Sequence, residues 1–77
     1  MFLKLVKTGQ IEVDGRFYEV RYYEQRTLRG APRYSGEVLL GTWDRIILDD
    51  DSMTSLESRL ERLVPATVYS RLVAAAS

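Results

Sequence analysis

The stretch IEVDGRFYEV, residues Ile11–Val20, decides the fold, because it joins two alternating runs through a two-residue turn signal. A two-residue hairpin loop needs positive φ at its central positions, and the dipeptide Asp14-Gly15 tolerates that conformation. The turn places Ile11 opposite Tyr18, so that both side chains fall on the same face. The sequence therefore predicts an antiparallel hairpin centred on this turn.

The alternation outward from the hairpin assigns the side chains of both strands to two faces of a sheet. The predicted core face carries Leu3, Leu5, Ile11, Val13, Tyr18, Val20 and Tyr22. The opposite face is mainly polar, yet it also carries Phe2, Val6, Phe17 and Tyr23. Gly9 interrupts the first strand, and a β-bulge at that position would exchange the two faces for the residues that precede it.

Further strands are predicted after the hairpin. Residues 26–34 have no usable period and contain a glycine and a proline, so they are interpreted as a loop. Gly36–Thr42 follows as a third strand. The short β-branched run Arg45–Leu48 is either a fourth strand or a continuation of the third, and the fourth strand is favoured.

Helical spacing replaces alternation after the acidic run Asp49–Ser52. Carboxylates and hydroxyls cap the free amides of a first helical turn, so a helix is predicted to begin there. Its apolar stripe consists of Met53, Leu56, Leu60, Leu63 and Val64. Pro65 cannot continue the hydrogen-bond ladder, and a short second helix is predicted to start at that residue.

The elements together predict an α+β protein with a single small domain over residues 1–77. The expected architecture is a three- to four-stranded antiparallel β-meander, followed by one or two C-terminal helices packed on one face of the sheet. A chain of 77 residues provides material for one core only.

Composition excludes several classes of chemistry. The chain has 11 basic and 11 acidic residues, so no overall charge attracts it to nucleic acid or to an anionic membrane. It contains no Cys and no His, which excludes disulfides, thiolate chemistry, the commonest zinc ligands and a histidine base. No segment approaches the roughly 20 apolar residues of a membrane span. We expect a cytoplasmic protein that does not associate with membranes.

Neither catalysis nor metal binding is predicted. The chain has no recognisable activated nucleophile and no positioned acid–base pair. The acidic run Asp49–Asp51 lacks the alternating ligands, the glycine and the final glutamate of an EF-hand loop, so helix capping is the favoured interpretation. We therefore expect a protein that is not an enzyme and that has no cofactor.

Two surfaces are candidates for binding a partner. The second sheet face would expose aromatic side chains, which either a second helix or a second copy of the chain would cover. Residues 26–34 interleave basic and aromatic groups, the combination that suits single-stranded nucleic acid, although a solvated loop is favoured. Trp43 lies near a turn, where half-buried packing is favoured over an interface.

These considerations predict a non-catalytic protein-interaction module that forms a homodimer through an exposed sheet face. A small nucleic-acid-binding module that uses the loop 26–34 is the alternative. The candidate partner contacts are Phe17, Tyr23, Arg26, Arg29, Arg33, Tyr34 and Trp43.

Overall fold

The computed structural model describes residues 2–26 and 30–76 and has four antiparallel strands followed by one helix. The elements are β1 (Phe2–Val13), β2 (Arg16–Arg26), β3 (Pro32–Leu39), β4 (Arg45–Asp50) and α1 (Met53–Ala76). The sheet order is β1-β2-β3-β4, so every strand pairs with its neighbour in sequence. This arrangement confirms the α+β fold class, and it shows that residues 45–50 form a separate fourth strand.

The hairpin turn lies where the sequence predicts it. Asp14 has φ of 50° and Gly15 has φ of 83°, the left-handed conformations that a two-residue loop requires. Ile11 pairs with Tyr18 in the resulting ladder. The local turn chemistry therefore fixes the register of β1 against β2 near the hairpin.

A β-bulge interrupts the pairing of β1 with β2, but it does not lie at Gly9. The register shifts between Leu5 and Lys7, which makes Val6 the additional residue. Because a bulge adds one residue to only one of the two strands, the side chains before it exchange faces relative to the partner strand.

This bulge overturns the predicted positions of Leu3 and Leu5. They pair with Gln25 and Tyr23 respectively, so both side chains lie on the face opposite the core, and both are exposed. The prediction was wrong because simple alternation was carried through Val6. The side chain of Phe2 lies outside the described part of the chain.

The helix covers one face of the sheet and encloses the core. Among the described residues, the buried apolar side chains are Val20, Tyr22, Val38, Leu56, Leu60 and Val64. Gly36 allows the helix to approach closely, because a Cβ atom at this position would lie 2.6 Å from Cδ1 of Leu60. The core is therefore a single layer between α1 and the inner face of the sheet.

The predicted second helix does not form, because α1 continues through Pro65. Val64 is buried before the proline, and Val68 packs against the core after it, so the same sheet holds both halves of the helix. Leu63 was predicted in the apolar stripe but is 38% exposed, because it lies on the flank of α1. Among the described residues, no helix is both long and apolar enough to cross a membrane.

Both ends of the predicted loop over residues 26–34 are strand. β2 extends to Arg26 and β3 begins at Pro32, and these two residues pair with each other. The third strand therefore starts four residues earlier than predicted, and it ends at Leu39 instead of Thr42. Proline is tolerated at the first residue of a strand, so Pro32 is compatible with this pairing and was a misleading loop signal.

Candidate interaction surface

The face of the sheet that α1 does not cover carries a group of large apolar side chains. We call this surface the open face and define it by Leu3, Leu5, Phe17, Tyr23, Leu39 and Ile47. Five of these side chains are exposed to between 45% and 62%, and Tyr23 is half-buried. A group of apolar side chains exposed together on one face is typical of a binding surface.

The bulge at Val6 helps to build the open face. Without the additional residue, Leu3 and Leu5 would point toward the core side. With it, Leu5 lies beside Tyr23 in the ladder, and β3 places Ser35 on the other side of Tyr23. A shallow groove results, and it is lined by Leu3, Tyr23, Gln25, Ser35, Glu37, Ile47 and Asp49.

Two arginines on this side of the sheet form ion pairs with glutamates of the sheet. Arg21 Nε donates to Glu19 at 2.8 Å, and Arg45 Nη1 donates to Glu37 at 3.1 Å. The hydrogen bond to Glu19 and the charge of that carboxylate raise the pKa of Arg21. Exposed pairs of this kind contribute little stability, but they leave no concentrated field of one sign on this face.

Trp43 extends the apolar surface at one end of the sheet. Backbone hydrogen bonds close the β3–β4 turn, since Leu40 N–H donates to the Asp44 carbonyl at 2.8 Å. This turn leaves Trp43 97% exposed, so the favoured packing interpretation was wrong. The indole lies next to Leu39 and Arg45, which are continuous with the open face.

The basic and aromatic residues of the predicted loop do not share one surface. Arg26 ends β2 and pairs with Glu24 at 3.3 Å, while Tyr34 is half-buried against the core. Arg33 pairs with Gln25 and so lies on the opposite side of the sheet from Tyr34. Arg29 lies outside the described residues. The sheet therefore separates groups that the sequence suggested would act together.

Ser52, one of the residues predicted to cap the helix, does so, because its hydroxyl accepts a hydrogen bond from the Ser55 amide at 3.3 Å. The carboxylate of Asp50 accepts hydrogen bonds from the Ser55 hydroxyl at 2.7 Å, the Ser52 amide at 3.1 Å and the Arg59 guanidinium at 3.1 Å. These bonds hold the pKa of Asp50 well below its usual range, and the bond from Ser55 has the largest effect. Within residues 2–26 and 30–76, no group of three or more His, Cys, Asp or Glu side chains is placed to hold a metal ion.

A polar cluster on the inner face connects the edge of the sheet to the helix. Lys7 pairs with Glu57 of α1, and its ammonium group lies 5.1 Å from the centroid of the Tyr22 ring. Burial raises the pKa of Tyr22, and the charges of Glu57 and Glu61 add to that effect. The ion pair attaches β1 to α1, and the cation–π contact holds the Lys7 ammonium group over Tyr22 of β2.

No family model, curated protein or solved structure matches this chain. Its own residues must therefore indicate its function.

Of the predicted contacts, Phe17 and Tyr23 lie on the open face, and Trp43 is adjacent to it. Sequence reasoning missed Leu3, Leu5, Leu39 and Ile47. The alternation within β4 could have revealed Ile47, whereas nothing in the sequence marked Val6 as the bulge.

Proposed function

We propose that the protein is a non-catalytic protein-interaction module whose binding surface is the open face. The observation that carries this proposal is the exposure of five large apolar side chains on the uncovered side of the sheet. Burying one such side chain completely is worth roughly 1.5–3 kcal/mol, so a partner that covers several of them gains substantial free energy. The partner is a second copy of the chain, as the sequence predicts, or a different protein.

Paired charges support a protein partner over nucleic acid. Binding to nucleic acid depends on cations that neutralise phosphates and release counterions. Arg21, Arg26 and Arg45 each already form an ion pair with a glutamate of the sheet. A phosphate would have to compete with these carboxylates, whereas an apolar protein surface would not.

The non-catalytic character is supported by the role of the most strongly perturbed carboxylate. A lowered pKa often marks a functional group. For Asp50, however, the cause is a set of hydrogen bonds from the first helical turn and from Arg59. Its oxygens bind the side chains of Ser55 and Arg59 in α1, which gives this group a structural role.

Serine substitutions on two different surfaces test the proposal. Leu5→Ser removes an apolar side chain from the open face, and Leu72→Ser is the matched control on the exposed end of α1. The two leucines are 51% and 61% exposed, so both variants are expected to fold. If a second copy is the partner, sedimentation at micromolar concentration should show weaker association for Leu5→Ser alone.

A photo-crosslinking amino acid extends the test to other partners. It replaces Phe17 on the open face or, as the control, Tyr69 on α1, and irradiation is carried out in the native cells. Crosslinked protein adducts are expected from position 17 and not from position 69. Adducts from position 69 alone would contradict the proposal. Equal association of the two serine variants would show that a second copy is not the partner of the open face. Tight, salt-dependent binding of a single-stranded oligonucleotide would favour the nucleic-acid alternative.

A further inference from the structure

The two edges of the sheet differ in how they are protected against further strand pairing. β1 forms one edge and carries the Val6 bulge together with Lys4 and Lys7, features that discourage the addition of a strand. β4 forms the other edge. Its pairing with β3 is continuous from Arg45 to Asp50, without a register shift, and it contains no lysine or proline.

The direction of the backbone groups in β4 follows from the adjacent turn. Leu40 N–H and Gly41 N–H both donate to the Asp44 carbonyl, and Asp44 N–H donates to the Gly41 carbonyl, so Asp44 lies opposite two residues in a β-bulge. The pair that follows this hydrogen-bonded position, Leu39 with Arg45, is non-hydrogen-bonded. Hydrogen-bonded and non-hydrogen-bonded pairs alternate along an antiparallel ladder, and the register continues without a break. The residues whose N–H and C=O groups point away from β3 are therefore Arg45, Ile47 and Asp49. The Asp49 carbonyl agrees with this assignment, since it accepts from Arg59 of α1 at 3.2 Å.

The outward-pointing residues Arg45, Ile47 and Asp49 can pair with the same three residues of a second copy. In an antiparallel pair centred on Ile47, the Arg45 of one copy lies opposite the partner's Asp49, and the two-fold axis repeats that pair. Opposite charges that face each other across strands stabilise pairing, whereas a register that places Asp49 against the partner's Asp49 is repulsive. On the inner face, the same register sets Ile46 against the partner's Leu48.

A groove beside the β4 edge is the second feature that favours pairing of two copies. A shallow groove between β4 and the flank of α1 is lined by Leu48, Arg59, Arg62, Leu63 and Ala66. Leu63 is 38% exposed there, although it is large and apolar. A two-fold axis through Ile47 brings the grooves of two copies together, so an edge pair would cover both.

We propose that the β4 edges of two copies pair antiparallel about Ile47 and form a dimer with a continuous eight-stranded sheet. Arg45 then lies between Glu37 of its own chain and the partner's Asp49. The carbonyl of Asp49 has two lone pairs, so it accepts from the partner strand while it keeps the bond from Arg59. This inference does not depend on the proposed function. The dimer would join two open faces into one larger surface and leave both available.

A proline substitution tests the edge. The N–H of Ile47 takes no part in the ladder with β3, so Ile47→Pro is compatible with the folded monomer, as edge prolines generally are. It removes the central donor of the proposed dimer, whereas the control Ile47→Val keeps it. Sedimentation at micromolar concentration should give a dimer for wild type and Ile47→Val, and a folded monomer for Ile47→Pro. A monomeric wild type, or a dimeric proline variant, would overturn the proposal.

Charge exchange provides a test that does not alter the backbone. Arg45→Glu alone, or Asp49→Lys alone, makes both symmetric pairs repulsive and should weaken dimerisation roughly tenfold, the scale expected for two exposed ion pairs. The double variant Arg45→Glu/Asp49→Lys restores the pairing and should recover most of the affinity. Failure of the double variant to associate better than either single variant would contradict the proposed register.

Comparison of Leu5→Ser with Ile47→Pro also shows whether two copies associate through the open face or through the β4 edge. If Leu5→Ser weakens association and Ile47→Pro does not, then copies meet through the open face and the edge dimer is refuted. If Ile47→Pro abolishes association and Leu5→Ser has no effect, then the edge dimer is supported and the open face is left for a different protein. In that second case, crosslinking from position 17 still decides the proposed function.

Discussion

Replacing Gly36 with alanine should destabilise the protein, because the helix packs directly on this residue. A Cβ atom at position 36 would lie 2.6 Å from Cδ1 of Leu60, about 1 Å inside the usual carbon–carbon contact distance. Leu60 is fully buried, so its side chain cannot move into solvent. Either the rotamer of Leu60 or the position of α1 must change.

The expected loss follows from two opposing effects. Overpacking of a closed core typically costs 1–3 kcal/mol. Alanine also reduces the conformational entropy of the unfolded chain, which stabilises the protein by about 0.4–1 kcal/mol. The net loss for Gly36→Ala should therefore be about 1–2 kcal/mol. For a domain of this size, that corresponds to a decrease in Tm of roughly 5–15 °C.

Gly9→Ala is the matched control on the same face of the sheet. A Cβ atom there would lie 3.6 Å from Cε2 of Tyr22, an ordinary van der Waals contact. This variant should be as stable as wild type or slightly more stable. Urea and thermal unfolding followed by circular dichroism measure both variants. Equal stability of Gly36→Ala and Gly9→Ala would refute the close approach of the helix.

A compensating substitution identifies the contact. Leu60→Val removes the δ-carbons that meet the new methyl group, and alone it should cost roughly 1 kcal/mol through the cavity that it leaves. In the Gly36→Ala background, this cost should largely disappear. A coupling free energy of at least about 0.5 kcal/mol between the two positions is expected, and additive behaviour would show that the strain lies elsewhere.

Three further predictions concern the turn, the helix and its cap. Gly15→Val should lower the free energy of unfolding by about 1–3 kcal/mol, because φ is 83° and a β-branched residue is strained there; an unchanged urea midpoint would contradict this. Pro65→Ala should stabilise the protein by about 1–3 kcal/mol, because proline inside a helix removes a hydrogen bond; a lower Tm would show that Pro65 is required for packing. The pKa of Asp50 is held below its ordinary value of 3.8, mainly by the Ser55 hydroxyl. The stability that its charged form contributes is complete above that value and is lost as the pH falls toward the lower folded-state pKa. Asp50→Asn should therefore be less stable than wild type near neutral pH, and its stability should fall less steeply below pH 3.8, as acid titration of the unfolding midpoint will measure.

Short-range features of this protein could be predicted from the sequence because their causes are local. The Asp14-Gly15 dipeptide determines its turn through the conformations that these two residues tolerate. Alternation on either side of it determines the register of the hairpin and places Phe17 and Tyr23 on the same face. The polar groups before Met53 determine where the helix begins, because the Ser52 hydroxyl accepts from the Ser55 amide of the first turn and Asp50 holds the Ser52 amide.

The tertiary structure determined the features that depend on contacts between distant residues. Val6 is a bulge only because both halves of β1 pair with β2 in registers that differ by one residue. Pro65 remains inside the helix because Val64 and Val68 pack on one sheet, and because Arg71 binds Asp44 of a distant turn at 2.8 Å. Propensity alone would end the helix there, and these contacts offset that preference.

The candidate binding surface has the same dependence on long-range packing. The alternating pattern predicts which face of β2 is the core face, but it does not show that a bulge turns Leu3 and Leu5 to the other face. Nor does it show how closely the helix packs on the core face, where Leu56 and Leu60 lie over Gly36, which has no side chain. The sequence by itself therefore determines the hairpin, its turn and the start of the helix. The tertiary structure decides which apolar side chains stay in water, because exposure depends on what packs against each residue from elsewhere in the chain.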